Sequence, residues 1–150
     1  MVQKETLSSL THGNFAKELS ISQGKVPPNA VDFEKLVIGT FLIDKKGLDH
    51  SIDLLKPEVF YDPRHQEIFR AILKLYENNH PVDMVTVIQE LKRTEKLSLA
   101  GGDHYIIDLT TAVSSSAHIE YHVRIILEKY ILRSLINVSA NVIDLSLIHI

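Results

Sequence analysis

Residues 117–145 read AHIEYHVRIILEKYILRSLINVSANVIDL, a stretch with neither Pro nor Gly. It follows Ser114-Ser115-Ser116, whose hydroxyls suit a helix N-cap. Ile119, Val123, Ile126 and Tyr130 recur at helical spacing and predict one buried stripe on a long helix, 117–145. Beyond that stripe the pattern changes. Eleven of the nineteen residues from Leu127 to Leu145 are hydrophobic, and they do not keep to one face. A helix leaning on its own domain needs an apolar stripe only about a third of its circumference wide. The surplus fits either a helix deep in its own core or one buried against another helix. A terminal position favours the second, with the other helix supplied by a second copy.

Upstream, the same spacing predicts a compact multi-helix head over residues 29–112. Val26-Pro27-Pro28 closes a polar leader, residues 1–28, too poor in apolar groups to offset its ordering entropy and so expected to be flexible. Asn29 is the expected N-cap of a helix reaching Ile43, with Phe33, Leu36, Val37, Thr40 and Phe41 on its buried side. Asp44-Lys45-Lys46-Gly47 reads as a turn with Gly47 free to take positive φ, followed by a short helix with Leu48, Ile52 and Leu55 on one side. Asp62-Pro63 is the clearest helix start, cap followed by proline, and Ile68, Phe69, Ile72, Leu73 and Tyr76 form the stripe behind it. Asp83 caps the next helix, with Val85, Ile88 and Leu91 inward. Gly101-Gly102 reads as a turn before a short helix carrying Tyr105, Ile106 and Leu109.

Composition narrows the function. The 150 residues carry a formal charge of −3, six Gly, five Pro and no Cys. Absent Cys excludes disulfides, thiolate metal sites and a thiol nucleophile. A mildly acidic chain with scattered basic residues lacks the clustered Lys and Arg that strong nucleic-acid binding needs. No eighteen-residue run stays apolar and free of charge, so no transmembrane helix is expected.

Catalytic patterns were sought in turn. Gly101-Gly102 is followed by Asp103, which would repel a phosphate, and no glycine loop carries Lys-Ser/Thr. No nucleophile elbow surrounds a serine. His118 and His122 stand one turn apart, but Glu120 is one position late for the zinc-protease pattern, and no third ligand is predictable. His65, just inside a helix start, reads as a packing or capping side chain. The expectation is no catalytic residue, no metal ligand and no cofactor site, with a small metal-dependent hydrolase built on His118 and His122 as the contrary reading.

These residues, in order, resemble the N-terminal domain of the bacterial replicative DNA helicase, the DnaB family. The resemblance rests on Pro27-Pro28 before an acidic helix that ends in Ile38-Gly39, and on Phe60-Tyr61 with His65 and Ile68-Phe69. Pro81-Val82-Asp83 with Thr86 and Gly101-Gly102 with Tyr105 and Leu109 continue it. It closes with Ala117-His118-Ile119 opening a helix through Tyr121 to Glu128-Lys129 and Arg133, and covers about Val26 to Ile143. It implies an all-α head followed by a helical hairpin, of which the long helix is the first arm. It further implies self-association into dimers and a hexameric trimer of dimers, docking of the primase C-terminal domain, contact with the helicase loader, and a cytoplasmic setting. Tyr105, Ile136 and Val142 match positions on or near the primase-docking surface of relatives. The RecA-like motor, with its ATP and Mg sites, and the second hairpin arm are expected in the longer parent, where DNA is handled by the assembled hexamer. Residues 146–150 depart from the family pattern, in which the resemblance implies a polar turn and another helix. A stand-alone helical regulator competing for primase or loader is the alternative.

Overall fold

The computed structural model describes residues 26–148, and among them six α-helices follow one another without a strand. They are α1 (Val31–Ile43), α2 (Lys45–Ser51), α3 (Pro63–Glu77), α4 (Met84–Arg93), α5 (Gly102–Thr111) and α6 (Ile119–Ile148). Two 3-10 turns, Ile52–Leu54 and Pro57–Val59, join α2 to α3. The all-α expectation holds. The expected flexible leader lies outside the described residues except for Val26–Pro28. Two compact units divide the chain: Asn29–Tyr130, the head, and a second unit that takes up α6 from Ile131.

The head is held by one apolar core. Phe69 on α3 sits between Phe41 on α1 and Phe60, with ring centroids 6.4 and 5.1 Å away, and all three side chains are buried. Each such ring contributes roughly 1.5–3 kcal/mol through its burial. Ile119, Val123 and Ile126 join that core, as the helical stripe predicts. Where α1 meets α5, Gly39 leaves the space of a side chain to the other helix. A Cβ there would lie 2.3 Å from the Leu109 carbonyl oxygen and 2.6 Å from Val113 Cγ2.

Several local expectations need correction. Ala30, and not Asn29, occupies the N-cap of α1, and no side chain caps that end. Gly47 lies inside α2 instead of taking positive φ in a turn. Asp44 accepts the Lys46 N–H at 3.0 Å and starts the helix three residues earlier than Leu48 suggests. On α4 it is Val87 that is buried, whereas Val85 is exposed. Both phases fit a three-to-four spacing, and the one observed places Val87 with Leu91 in the head's core. The serine run closes a turn, Ser115 Oγ accepting from Ala117 N–H at 3.1 Å, and α6 begins at Ile119 and reaches Ile148.

Length and composition single out one apolar helix among the described residues. By length and composition α6 is able to cross a bilayer, since one eighteen-residue window holds no more than two ionised side chains. The sequence reading required a charge-free run, and Arg133 and Asp144 are spaced widely enough to leave the helix predominantly apolar without one.

Candidate docking surface

Tyr105 lies on the first turn of α5, and the chain before it is shaped to admit its ring. Gly101 and Gly102 have φ of +94° and +83°, a region that favours glycine, and a Cβ on Gly101 would stand 2.7 Å from Tyr105 Cδ1. Behind the ring is a buried polar relay. Glu34, on the first turn of α1, is 1% exposed, and His65, on the first turn of α3, is fully buried. The Glu34 carboxylate accepts the N–H of Tyr61 at 2.7 Å and that of Asp62 at 3.2 Å. Its Oε1 also lies 2.8 Å from His65 Nδ1, and His65 Nε2 lies 2.5 Å from the Tyr105 hydroxyl.

The donor order follows from the chemistry. An ionised carboxylate only accepts, so His65 Nδ1–H donates to Glu34. In the neutral imidazole Nε2 then accepts the Tyr105 O–H. Burial, reinforced by the negative charges of Asp62 and Glu34 and partly offset by the Arg64 cation, pushes the Tyr105 phenol up to about 12. It therefore remains a donor at neutral pH. The two rings are nearly parallel, 9° apart, with centroids at 5.9 Å.

Arg64 covers the ring. Its guanidinium carbon is 4.1 Å from the Tyr105 centroid, while Nε and Nη2 bond the Asp62 carboxylate, the shortest at 2.7 Å. Burial pushes the Asp62 carboxyl up, but the Arg64 side-chain and backbone bonds together outweigh it and hold it below the usual carboxylate value. The same Asp62 caps α3, accepting the Arg64 N–H at 2.9 Å.

In the second unit α6 carries two apolar stripes. Ile131, Leu135, Val138, Val142 and Leu145 form one, all exposed between 53% and 60%. Leu132, Ile136, Ile143 and Leu147 form the other, about a third of a turn round the axis at 100° per residue. The sequence-predicted positions Ile136 and Val142 thus belong to different stripes of one helix, and Tyr105 belongs to the head. Within this unit Arg133 Nη1 donates to the Pro28 carbonyl at 2.9 Å.

Of the two histidines, His118 lies in the turn before α6 and His122 on that helix. His122 packs against Phe33 with centroids 5.3 Å apart, and burial, helped by His118, holds its imidazole below the ordinary value. No group of three potential ligands converges among the described residues. Glu34 is the member of the site without a sequence expectation, while His65, expected to pack or cap, is buried and carries in addition the two polar contacts above. Their signal was positional: Glu34 lies three, four and seven residues before Val37, Ile38 and Phe41, and His65 stands likewise before Ile68, Phe69 and Ile72. Each puts a polar group on a buried stripe, and two such groups need each other.

Comparison with known proteins now gives this arrangement a family. A family profile described as "DnaB-like helicase N terminal domain" matches residues 26–128. The replicative DNA helicase DnaB of Rhodothermus marinus is 50% identical over 115 residues, 77% of this chain and 12% of that protein. That of Geobacillus stearothermophilus is 38% identical over 118 residues, 79% of this chain and 26% of that protein. The chain therefore spans about a quarter or less of these relatives. The crystal structure of the N-terminal domain of DnaB helicase from Mycobacterium tuberculosis superposes with a TM-score of 0.76 at 36% identity, covering 79% of this chain and 84% of that one. A structure of the Helicobacter pylori N-terminal domain, described together with "its interactions with primase", shares the fold with a TM-score of 0.66 at 18% identity, covering 91% of this chain and 98% of that one. With the profile covering most of the chain and the relatives agreeing on one fold, the chain belongs to the DnaB-like helicase N-terminal domain family.

Proposed function

We propose that this domain is a non-catalytic assembly and docking module of a cytoplasmic replicative helicase. It self-associates, supports a hexameric trimer of dimers in its parent, and binds the C-terminal domain of primase and the helicase loader. ATP, Mg and DNA are the business of the motor in that parent. The observation that carries the reading is the stripe Ile131, Leu135, Val138, Val142 and Leu145, a continuous exposed apolar face on a helix of a replication-helicase family member. Contiguous apolar faces of this kind mark protein contacts. Within this reading Tyr105, Ile136 and Val142 are the partner-contact residues.

Calorimetry with the primase C-terminal domain from the same organism tests it. Measurable binding by the folded chain is the expected result, and no binding at intact far-UV circular dichroism refutes the docking role. Ile136→Glu should weaken self-association or primase binding without unfolding the head. Unchanged sedimentation together with unchanged primase affinity counts against the assignment.

A further inference from the structure

Holding one phenol hydroxyl at the edge of a domain does not require a buried acid. Water satisfies a rim hydroxyl at little cost, and an apolar side chain in place of His65 would fill the same core volume. Here the chain instead desolvates a carboxylate and an imidazole, neither more than 1% exposed, to fix a tyrosine that is itself only half-buried. The expense is directed outward. Glu34 is anchored by two backbone N–H groups at the start of α3, and through His65 it reaches Tyr105 forty residues further along the chain. On the outer side Arg64 lies over the ring, its guanidinium locked in plane by Asp62 while its side chain stays 43% exposed. Gly101 withholds the Cβ that would displace the ring.

We infer that Glu34 and His65 are positioning residues for a Tyr105–Arg64 contact platform. The carboxylate fixes the imidazole tautomer, the imidazole fixes the phenol, and a protein partner meets an aromatic–cation pair already in its bound geometry. The inference rests on the docking reading above, in which Tyr105 touches the primase domain. Tyr and Arg are the side chains in which interface energy concentrates, and fixing them in advance is worth roughly two- to tenfold in affinity per side chain.

Glu34→Gln isolates the relay, because it keeps the shape and changes the donor order. The amide oxygen keeps the shorter bond, from the Tyr61 N–H at the Oε2 position, and the NH2 takes the Oε1 position, where it faces Nδ1 and leaves the Asp62 N–H without its acceptor. His65 must move its proton to Nε2, donate to the Tyr105 oxygen and turn the phenol hydrogen away. Imidazole 15N shifts of the 150-residue chain should report the Nδ1–H tautomer in the native sequence and the Nε2–H tautomer in Glu34→Gln. An Nε2–H tautomer in the native chain overturns the inference without any variant. Affinity for the primase C-terminal domain should fall roughly three- to tenfold in Glu34→Gln. In a Tyr105→Phe background the same substitution should cost nothing further, which a general loosening of the head would not reproduce. An equal loss in both backgrounds overturns the positioning role while leaving docking intact, provided Tyr105→Ala weakens binding. Unchanged affinity in Tyr105→Ala removes Tyr105 from the interface, and the inference falls with it. If Glu34→Gln does not fold, His65→Gln runs the same cycle.

Discussion

Replacing Gly39 by Ala sets two effects of opposite sign against each other. Alanine is the better helix former by about 1 kcal/mol, so propensity alone predicts a gain. The new Cβ, however, would stand 2.3 Å from the Leu109 carbonyl oxygen and 3.1 Å from its carbon, and contacts under 3.0 Å are essentially never seen. Both atoms are backbone, so no rotamer change relieves the overlap, and α1 and α5 must part by about 1 Å to restore ordinary contact. A gap of that order forfeits a quarter to a half of the dispersion between facing groups. With about four apolar side chains on the seam, Ile106 and Leu109 among them, each worth roughly 1.5–3 kcal/mol when buried, the loss is about 3 kcal/mol. Subtracting the propensity gain leaves a net destabilisation of about 2 kcal/mol, inside the range for overpacked cores. Urea unfolding followed by far-UV circular dichroism should show the midpoint falling by roughly 1 M at unchanged slope. Gly47→Ala is the control, because its Cβ would meet side chains and no backbone, Thr40 Cγ2 at 3.2 Å and Asp44 Oδ2 at 3.4 Å. The same propensity gain applies there, so that variant should equal the native chain in stability or exceed it by up to about 1 kcal/mol. An unchanged or raised midpoint for Gly39→Ala, or equal shifts in the two variants, refutes the seam argument.

Three further outcomes are expected. Ser51→Ala should leave stability unchanged or raise it by up to about 1 kcal/mol, because Ser51 Oγ is buried without a hydrogen-bond partner among the described residues; a clear fall in Tm would reveal a bond it does make. Asp83→Ala should cost about 1 kcal/mol by opening the capping box of α4, and Asp83→Ser should recover most of it in the same melt; equal losses in both would assign the effect elsewhere. The Asp62 carboxyl lies below its ordinary 3.8, so the stability it supplies is fully present above that value and is lost as pH falls through the depressed one. The stability difference between the native chain and Asp62→Asn should accordingly shrink on acidification below about pH 4, and a difference constant with pH contradicts it.

Where the fold was legible, a strong local signal agreed with burial. Asp62-Pro63 and Asp83 begin α3 and α4 as their cap chemistry requires, and Ile119, Val123 and Ile126 are buried as their spacing implies. Misreadings arose where two local preferences were nearly equal. Gly47 suits a turn because glycine permits positive φ, yet Asp44 supplies a cap that makes the same residues helical. On α4, the phases of Val85 and Val87 fit one spacing with the same Asp83 cap, and only the tertiary packing of Val87 and Leu91 into the core separates them. The relay was harder still. That Glu34 and His65 occupy buried stripes is written in the sequence, but their pairing is a contact across thirty-one residues that no local pattern encodes.

Apolar side chains accept almost any apolar neighbour, so the face of α1 formed by Val37, Ile38 and Phe41 would by itself tolerate several seats against the rest of the head. Glu34 does not. Its carboxylate is hydrogen-bonded where the N–H groups of Tyr61 and Asp62 and the His65 ring converge, and a shift of α1 by a single turn would carry the charge away from all three donors. An uncompensated buried carboxylate costs about 3–5 kcal/mol, a large share of the stability a domain of this size possesses. Misaligned packings are thereby made expensive while the correct one is not. The charge acts as a register mark for the folding chain, silent in one arrangement and prohibitive in its neighbours.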